Sequence, residues 1–148
     1  MKALLQRVSS ASVTVEGQVL GSISNGLVIL LGIQTGDSYS DIEYVTNKSL
    51  NLRIFDDDSG KFNYSLLDIK AEVLLISQFT LCSDTKKGRR PSFIGAAPPS
   101  EALELFNKSL KEFKKFGVNV QTGKFQSHMA LEINNDGPVT IMLDSKDK

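Results

Sequence analysis

Two stretches of the chain are apolar at consecutive positions, "LVILLGI" after Asn25-Gly26 and "AEVLLISQFTL" from Ala71. Such runs predict central strands covered on both faces. "KALLQRVSSASVTV" has β-rich character with a polar break around Ser9 and Ser10, "EGQ" makes a tight connection, and "VLGSIS" is the returning strand. "LRIF" predicts another strand, followed by a polar turn at "DDDSG" and a short extended piece. "VNVQTGKF", "MALEI" and "VTIML" supply the remaining strands, with "NNDGP" read as a turn between the last two.

The helical period appears twice. In "GDSYSDIEYVTNKSLNL" Ile42, Val45 and Ser49 share a face, and Asp37 or Ser40 is the expected cap. "SEALELFNKSLKEFKKFG" is the clearer helix: Ser100 is the expected cap, and Leu103, Phe106, Leu110 and Phe113 form one apolar face. Lysines gather near its end and Gly117 terminates it. Two helices among many strands predict one layered α/β or α+β domain spanning residues 1–148, without linker or repeat.

Composition narrows the picture. Lys+Arg and Asp+Glu balance at 17 each, so the chain lacks the global charge of a dedicated non-specific nucleic-acid binder. The single cysteine, Cys82, excludes an internal disulfide and suits a reducing compartment. No apolar run approaches a membrane span. "MKALLQRV" opens like a signal peptide, but Gln6 and Arg7 break its short apolar stretch, which favours a first strand in a cytoplasmic protein.

Three constellations are candidates for chemistry. The first is "SQFTL", where Ser77, Gln78 and Thr80 offer polar groups at the end of a buried strand. Buried polar groups are costly unless paired, and strand ends are common ligand sites. Strand alternation puts Gln78 and Thr80 on one face and Ser77 and Phe79 on the other. The bland alternative is a strand running out into a wet loop. The second is "TKKGRRPSF", where Lys86, Lys87, Arg89 and Arg90 form a local phosphate-attracting patch or a solubilising loop. The third is "DGP": glycine before proline escapes the usual restriction, and an X-Pro bond can be cis.

Other chemistries fit poorly. A nucleophilic triad would have to recruit the lone His128, and there is no "GxSxG" elbow. One histidine and one cysteine do not make a zinc site. "DDDSG" lacks the ligand ladder and closing glutamate of a calcium loop, so it reads as a solvent-facing turn.

"SQFTL", "KKGRRPSF", "AAPP" and "NDGPVT", in this order, resemble the D-aminoacyl-tRNA deacylases. "MKALLQRVSSASVTVEG" and "LNLRIF" extend the resemblance from Met1 to about Ser145. It implies an α/β, three-layer DTD-like (D-Tyr-tRNA deacylase) fold with curved barrel-like β-sheets and two main helices. It implies hydrolysis of D-aminoacyl-tRNA, and of glycine mischarged onto alanine tRNA, by a cytoplasmic homodimer. The site would lie at the subunit interface and need no metal or organic cofactor. Carried over by position, Ser77, Gln78, Phe79 and Thr80 would form the pocket. Backbone N–H groups of Phe79 and Thr80 would hold the ligand carbonyl. Met129 would be the pocket methionine. Gly137-Pro138 would be a Gly-cis-Pro pair entering the partner subunit's site, with Arg7 holding it. Lys86, Lys87, Arg89 and Arg90 would face the tRNA backbone. The chain departs from the family where "FQSHM" puts Gln126 at a common glycine and His128 at an acidic position.

A binding module that docks RNA without chemistry, or a structural homodimer, are the competing classes. Neither accounts for the polar motif at the strand end.

Overall fold

The computed structural model describes residues 1–148. Its first strand, β1 (Lys2–Val15), is the common neighbour of three others. Lys2–Val8 pairs antiparallel with β3 (Gly26–Gly32), and Ala11–Val15 pairs with β2 (Gln18–Ile23). The other edge of β1 is covered along its length by β8 (Ala130–Asp144). Beyond β3 the sheet continues in parallel through β6 (Glu72–Ser77) to β7 (Val120–Thr122). The strands coil until the outermost two meet. A Cβ added at Gly21 on β2 would lie 3.0 Å from the Thr122 carbonyl oxygen on β7. The sheet is thus a nearly closed, curved barrel, and right-handed strand twist supplies the curvature.

The consecutive apolar runs are explained by two separate cores. Leu27, Ile29 and Leu31 of β3, with Val73 and Leu75 of β6, face the helices. The alternate residues Val28, Leu74 and Ile76 face the inside of the coiled sheet, against Val8, Ala11, Val13 and Ile23. Each fully buried aliphatic side chain of this kind stabilises the fold by about 1.5–3 kcal/mol before entropy is counted.

The two main helices are α1 (Tyr39–Asn51) and α2 (Pro99–Lys115). Ser38, rather than Asp37 or Ser40, is the N-cap of α1. The Asp41 carboxylate reaches back to the Ser38 N–H at 2.8 Å. Asp37 instead accepts from the Gln34 N–H at 2.7 Å and from the Met1 ammonium at 2.6 Å. Helix α2 begins two residues earlier than expected, with Pro98 as cap and Pro99 at the first helical position; Ser100 is already inside. Proline suits that position because its missing N–H has no helical partner there. The buried face of α2 is Leu105, Phe106, Ser109, Glu112 and Phe113, while Leu103 is exposed. The strict Leu103–Phe106–Leu110–Phe113 stripe is therefore corrected by a rotation toward Leu105 and Ser109.

The largest correction concerns "NNDGP". It is not a hairpin turn: both flanking segments belong to the single strand β8, and both pair with β1 in the same direction. The register passes from Val8↔Asn135 to Gln6↔Thr140, so Asp136, Gly137, Pro138 and Val139 form a bulge opposite Arg7 alone, the first three exposed and Val139 buried in the main core. A small hairpin, β4 (Phe55–Asp56) with β5 (Phe62–Tyr64), stands beside this bulge. Its "DDDSG" turn is closed by Asp57, which accepts from Ser59 N at 2.9 Å and Lys61 N at 3.2 Å. No helix is long and apolar enough to cross a membrane.

Candidate active site

Strand β6 ends at Ser77, and the chain then tightens into a 3₁₀ turn over Phe79–Cys82. This overturns the expected alternation of Gln78 and Thr80 against Ser77 and Phe79, because period-2 geometry stops where the strand stops. The first N–H groups of a helical turn have no partner within it. Phe79 and Thr80 occupy those positions. Gln78 is anchored by its own N–H to the Leu31 carbonyl at 2.8 Å.

The turn lies against β3 only because residue 32 is glycine. A Cβ there would come within 2.9 Å of Leu81 Cβ and 3.1 Å of both Cys82 Sγ and the Gln78 oxygen. Cys82 itself is buried, and burial pushes its thiol up from the usual range, away from the reactive thiolate.

In front of the turn opens a cavity of about 940 Å³. Ser77, Gln78 and Phe79 form its floor, and Gln126, His128 and Met129 line a side. Phe93, Ile94 and the "AAPP" stretch complete the wall; Phe79 and Phe93 meet edge to face at 5.0 Å. Ile94 is 91% exposed, which is unusual for an isoleucine and leaves an apolar lip on the cavity. Met129 is backed by the inner core, and Gly123 makes room for it: a Cβ at that position would sit 2.5 Å from the Met129 sulfur.

Thr80 does not line this cavity. Its hydroxyl accepts from Gln78 Nε2 at 2.5 Å, so it is turned back to its own segment and faces no base.

Arg7, Gly137 and Pro138 form a second cluster. The Gly137–Pro138 peptide is cis, and both residues are exposed. Arg7 is 5% exposed and fills the gap behind the bulge. Its Nε donates to the Asp136 carbonyl at 3.0 Å, and its Nη1 donates to the Ile54 carbonyl at 2.8 Å and to Asp56 Oδ2 at 3.0 Å. The buried guanidinium is thus paired and hydrogen-bonded, as a buried charge must be. Its planar fork, which lysine lacks, lets it serve three acceptors. Gly137 has φ of 127°, and a Cβ there would meet Arg7 Nη2 at 3.0 Å.

Within one chain these two clusters stay apart. Gly137 lies eight residues beyond Met129, which immediately precedes β8, and eight residues of extended strand span about 26 Å. Neither Gly137, Pro138 nor Arg7 lines the cavity, and neither do Lys86, Lys87, Arg89 and Arg90, which are exposed on the loop leading to Phe93. Asp56 and the Ile54 carbonyl as partners of Arg7, Gly32 under the turn and Gly123 behind Met129 have no signature in the sequence. The partners of Arg7 and Gly32 lie 46 or more positions away in the chain, and Gly123 meets Met129 only through the fold of the short stretch between them.

Residues 4–144 match the family model described as D-Tyr-tRNA(Tyr) deacylase. A D-aminoacyl-tRNA deacylase of Dehalococcoides mccartyi is 55% identical over 148 residues, covering 100% of this chain and 97% of the relative. One from a Thermoanaerobacter species is 53% identical, covering 99% and 98%. Among solved structures, a c-Myc DNA unwinding element binding protein superposes with a TM-score of 0.92 at 42% identity, over 97% of this chain and 98% of that one. A probable eukaryotic D-amino acid tRNA deacylase superposes with a TM-score of 0.80 at 16% identity, over 96% and 97%, a likeness of fold.

Proposed function

The chain belongs to the D-Tyr-tRNA(Tyr) deacylase family, and from that premise we propose that it hydrolyses the ester linking a D-amino acid to the 3′ end of tRNA. The products are free tRNA and the amino acid. The observation that carries this reading is the cavity at the end of β6, formed by Ser77, Gln78 and Phe79 with Met129 beside them.

Ester hydrolysis builds negative charge on the carbonyl oxygen. Fixed N–H donors stabilise that charge without reorganising. The N–H groups of Phe79 and Thr80, at the free end of the 3₁₀ turn, are the donors in this reading. Water is the nucleophile, and the 2′-hydroxyl of the terminal adenosine assists it. That hydroxyl is already held next to the ester, so the entropy of recruiting a base is largely avoided. Such a site needs no histidine triad. Thr80 shapes the turn through Gln78 and does not attack.

Selection against L-amino acids falls to Gly137-Pro138, a Gly-cis-Pro wall. In one chain this pair is too far from the cavity to act there. A homodimer in which each copy inserts its bulge into the other's cavity brings them together. Arg7 then holds the wall from behind. Glycine has no side chain to collide with it, so glycyl-tRNA(Ala) is also a substrate. Lys86, Lys87, Arg89 and Arg90 grip the tRNA backbone, the whole of residues 1–148 acts as one domain, and the cytoplasm is its place of work.

The deciding experiment incubates the protein with D-tyrosyl-tRNA, L-tyrosyl-tRNA and glycyl-tRNA(Ala) and follows release of the amino acid. Release of the D and glycyl esters with the L ester spared is the expected result. Binding of all three without release would return the chain to the class of RNA-docking modules.

A further inference from the structure

Residues 93–97 run along one wall of the cavity, with Ile94 at its lip. This wall belongs to no helix or strand. Its backbone is tied to another segment at two points. The Thr35 N–H donates to the Gly95 carbonyl at 3.1 Å, and the Ala97 N–H donates to the Ile33 carbonyl at 3.0 Å. The Thr35 hydroxyl adds a third bond, to the Ala96 carbonyl at 3.2 Å. Residues 33–35, just beyond the end of β3, therefore set where the wall stands.

Those residues are held in turn from the far side. Gln34–Asp37 is a tight turn: the Asp37 N–H donates to the Gln34 carbonyl at 3.1 Å, and Gly36, with φ of 85°, supplies the positive angle at its third position. The Asp37 carboxylate clasps the same turn. One oxygen accepts from the Gln34 N–H at 2.7 Å, the other from the Met1 ammonium at 2.6 Å. That ammonium also donates to Ser145 Oγ at 2.8 Å, so the turn is tied to the start of β1 and to the residue after β8. Ammonium and carboxylate are both buried, and a buried pair holds its geometry because either partner alone would be an uncompensated charge. Asp37 itself does not line the cavity, whereas Thr35, two residues before it, does.

We propose that the Gln34–Asp37 turn is a positioning element of the cavity: Asp37 clamps it from behind, and Thr35 transmits the clamp to the wall against which the 3′ end of the tRNA is held. This rests on the deacylase reading of the cavity. Asp37 touches neither the substrate nor the reacting ester; it is a positioning residue. The donors assigned to Phe79 and Thr80 are placed by other contacts, the close approach at Gly32 and the Gln78 N–H bond to the Leu31 carbonyl. Loosening the wall therefore weakens the hold on the substrate and leaves the chemical step nearly intact. A hold of that kind, equal in ground state and transition state, is read in KM rather than kcat.

The test uses the full-length protein with D-tyrosyl-tRNA. Wild type is compared with Asp37→Asn, Thr35→Val, Thr35→Ser and the variant combining Asp37→Asn with Thr35→Val. Asp37→Asn should raise KM by roughly tenfold, the worth of one hydrogen bond to a charged group, and Thr35→Val by a smaller factor. In both, kcat should stay within about threefold of wild type. Thr35→Ser keeps the hydroxyl and should recover most of the loss. In the combined variant the two effects on KM should fall short of multiplying, because both act through one wall. Urea unfolding run in parallel separates a merely structural role, since loss of folded protein lowers kcat and leaves KM unchanged. An unchanged KM in folded Asp37→Asn, or effects that multiply fully, overturns the inference. If Asp37→Asn does not fold, the Thr35 variants decide: a raised KM in Thr35→Val that serine rescues supports the inference, and an unchanged KM overturns it. If wild type cleaves no D ester, the deacylase reading falls and this inference with it; if wild type cleaves D-tyrosyl-tRNA and the variants keep its KM, only this inference falls.

Discussion

Arg7 Nε donates to the backbone carbonyl of Asp136 at 3.0 Å, across 129 positions of sequence. The bond joins one residue of β1 to the start of the four-residue bulge opposite it, and it replaces ladder hydrogen bonds that the bulge gives up. Arg7→Lys keeps the charge and loses the fork. It should cost about 2 kcal/mol, the scale of hydrogen bonds to a charged group. Urea unfolding should show a lower midpoint with unchanged slope. If the bulge is the chiral wall, the ratio of D-tyrosyl to L-tyrosyl ester cleavage should fall as well. An unchanged midpoint and ratio would show that lysine suffices.

Gly32 tests the turn beneath the cavity. Gly32→Ala places a Cβ against Leu81, Cys82 and the Gln78 oxygen. Displacing the Phe79 and Thr80 N–H groups should lower kcat by roughly 10²–10³, the usual loss for one oxyanion donor. Affinity for tRNA should hold, because the exposed basic loop is not part of the turn. A kcat within twofold of wild type would remove these N–H groups from the mechanism.

Thr80→Ala asks whether the hydroxyl does chemistry. The hydroxyl is engaged by Gln78 Nε2. Its removal should lower kcat by less than about tenfold, the worth of an ordinary hydrogen bond. Abolished turnover with intact folding and binding would bring back Thr80 as nucleophile.

Replacing Lys86, Lys87, Arg89 and Arg90 by alanine should raise KM to a similar degree for every tRNA. The plot of log affinity against log salt should become shallower by about one for each side chain that contacts phosphate. An unchanged salt slope would place the tRNA backbone elsewhere on the surface.

Glu72 predicts a pH dependence of stability. Its carboxylate accepts from the Ser24 N–H at 2.8 Å and Ser24 Oγ at 2.9 Å, and Asn119 adds a further bond. The Ser24 backbone bond first, and then the side-chain bonds, hold its pKa below the ordinary value against the opposing effect of burial. A depressed folded-state pKa adds stability that is present above the unfolded value and lost as pH falls through the folded one. The urea midpoint should therefore drop below about pH 4.3, the reference for glutamate. Glu72→Gln should flatten that limb while losing stability at neutral pH. Parallel acid limbs in the two proteins would assign the effect to other carboxylates.

Periodicity made the helices and the two-faced strands legible, because burial on both sides of β3 and β6 leaves no polar positions to mask the run. It misplaced the caps, since Asp37, Ser38 and Ser40 are all capable and tertiary contacts choose: Asp37 is claimed by Met1. It misread "NNDGP" because turn chemistry is local, whereas the bulge exists only through pairing with β1. The motif resemblance named Ser77, Gln78, Phe79 and Met129, which line one cavity, and Thr80, which does not line it. The alternation assigned to Gln78 and Thr80 failed because nothing local announces a 3₁₀ turn; its room comes from Gly32, some fifty positions earlier.

Strand β1 is synthesised more than a hundred residues before its long partner β8. Lys2 pairs with Asp144 and Thr14 with Ala130. Until residues 130–144 have left the ribosome, one whole edge of β1 is an open template for foreign strands. Such long-range pairings also close slowly. The nascent chain therefore waits, with its inner core half assembled, for β8. Its exposure to aggregation and to chaperones lasts until that strand has emerged and paired.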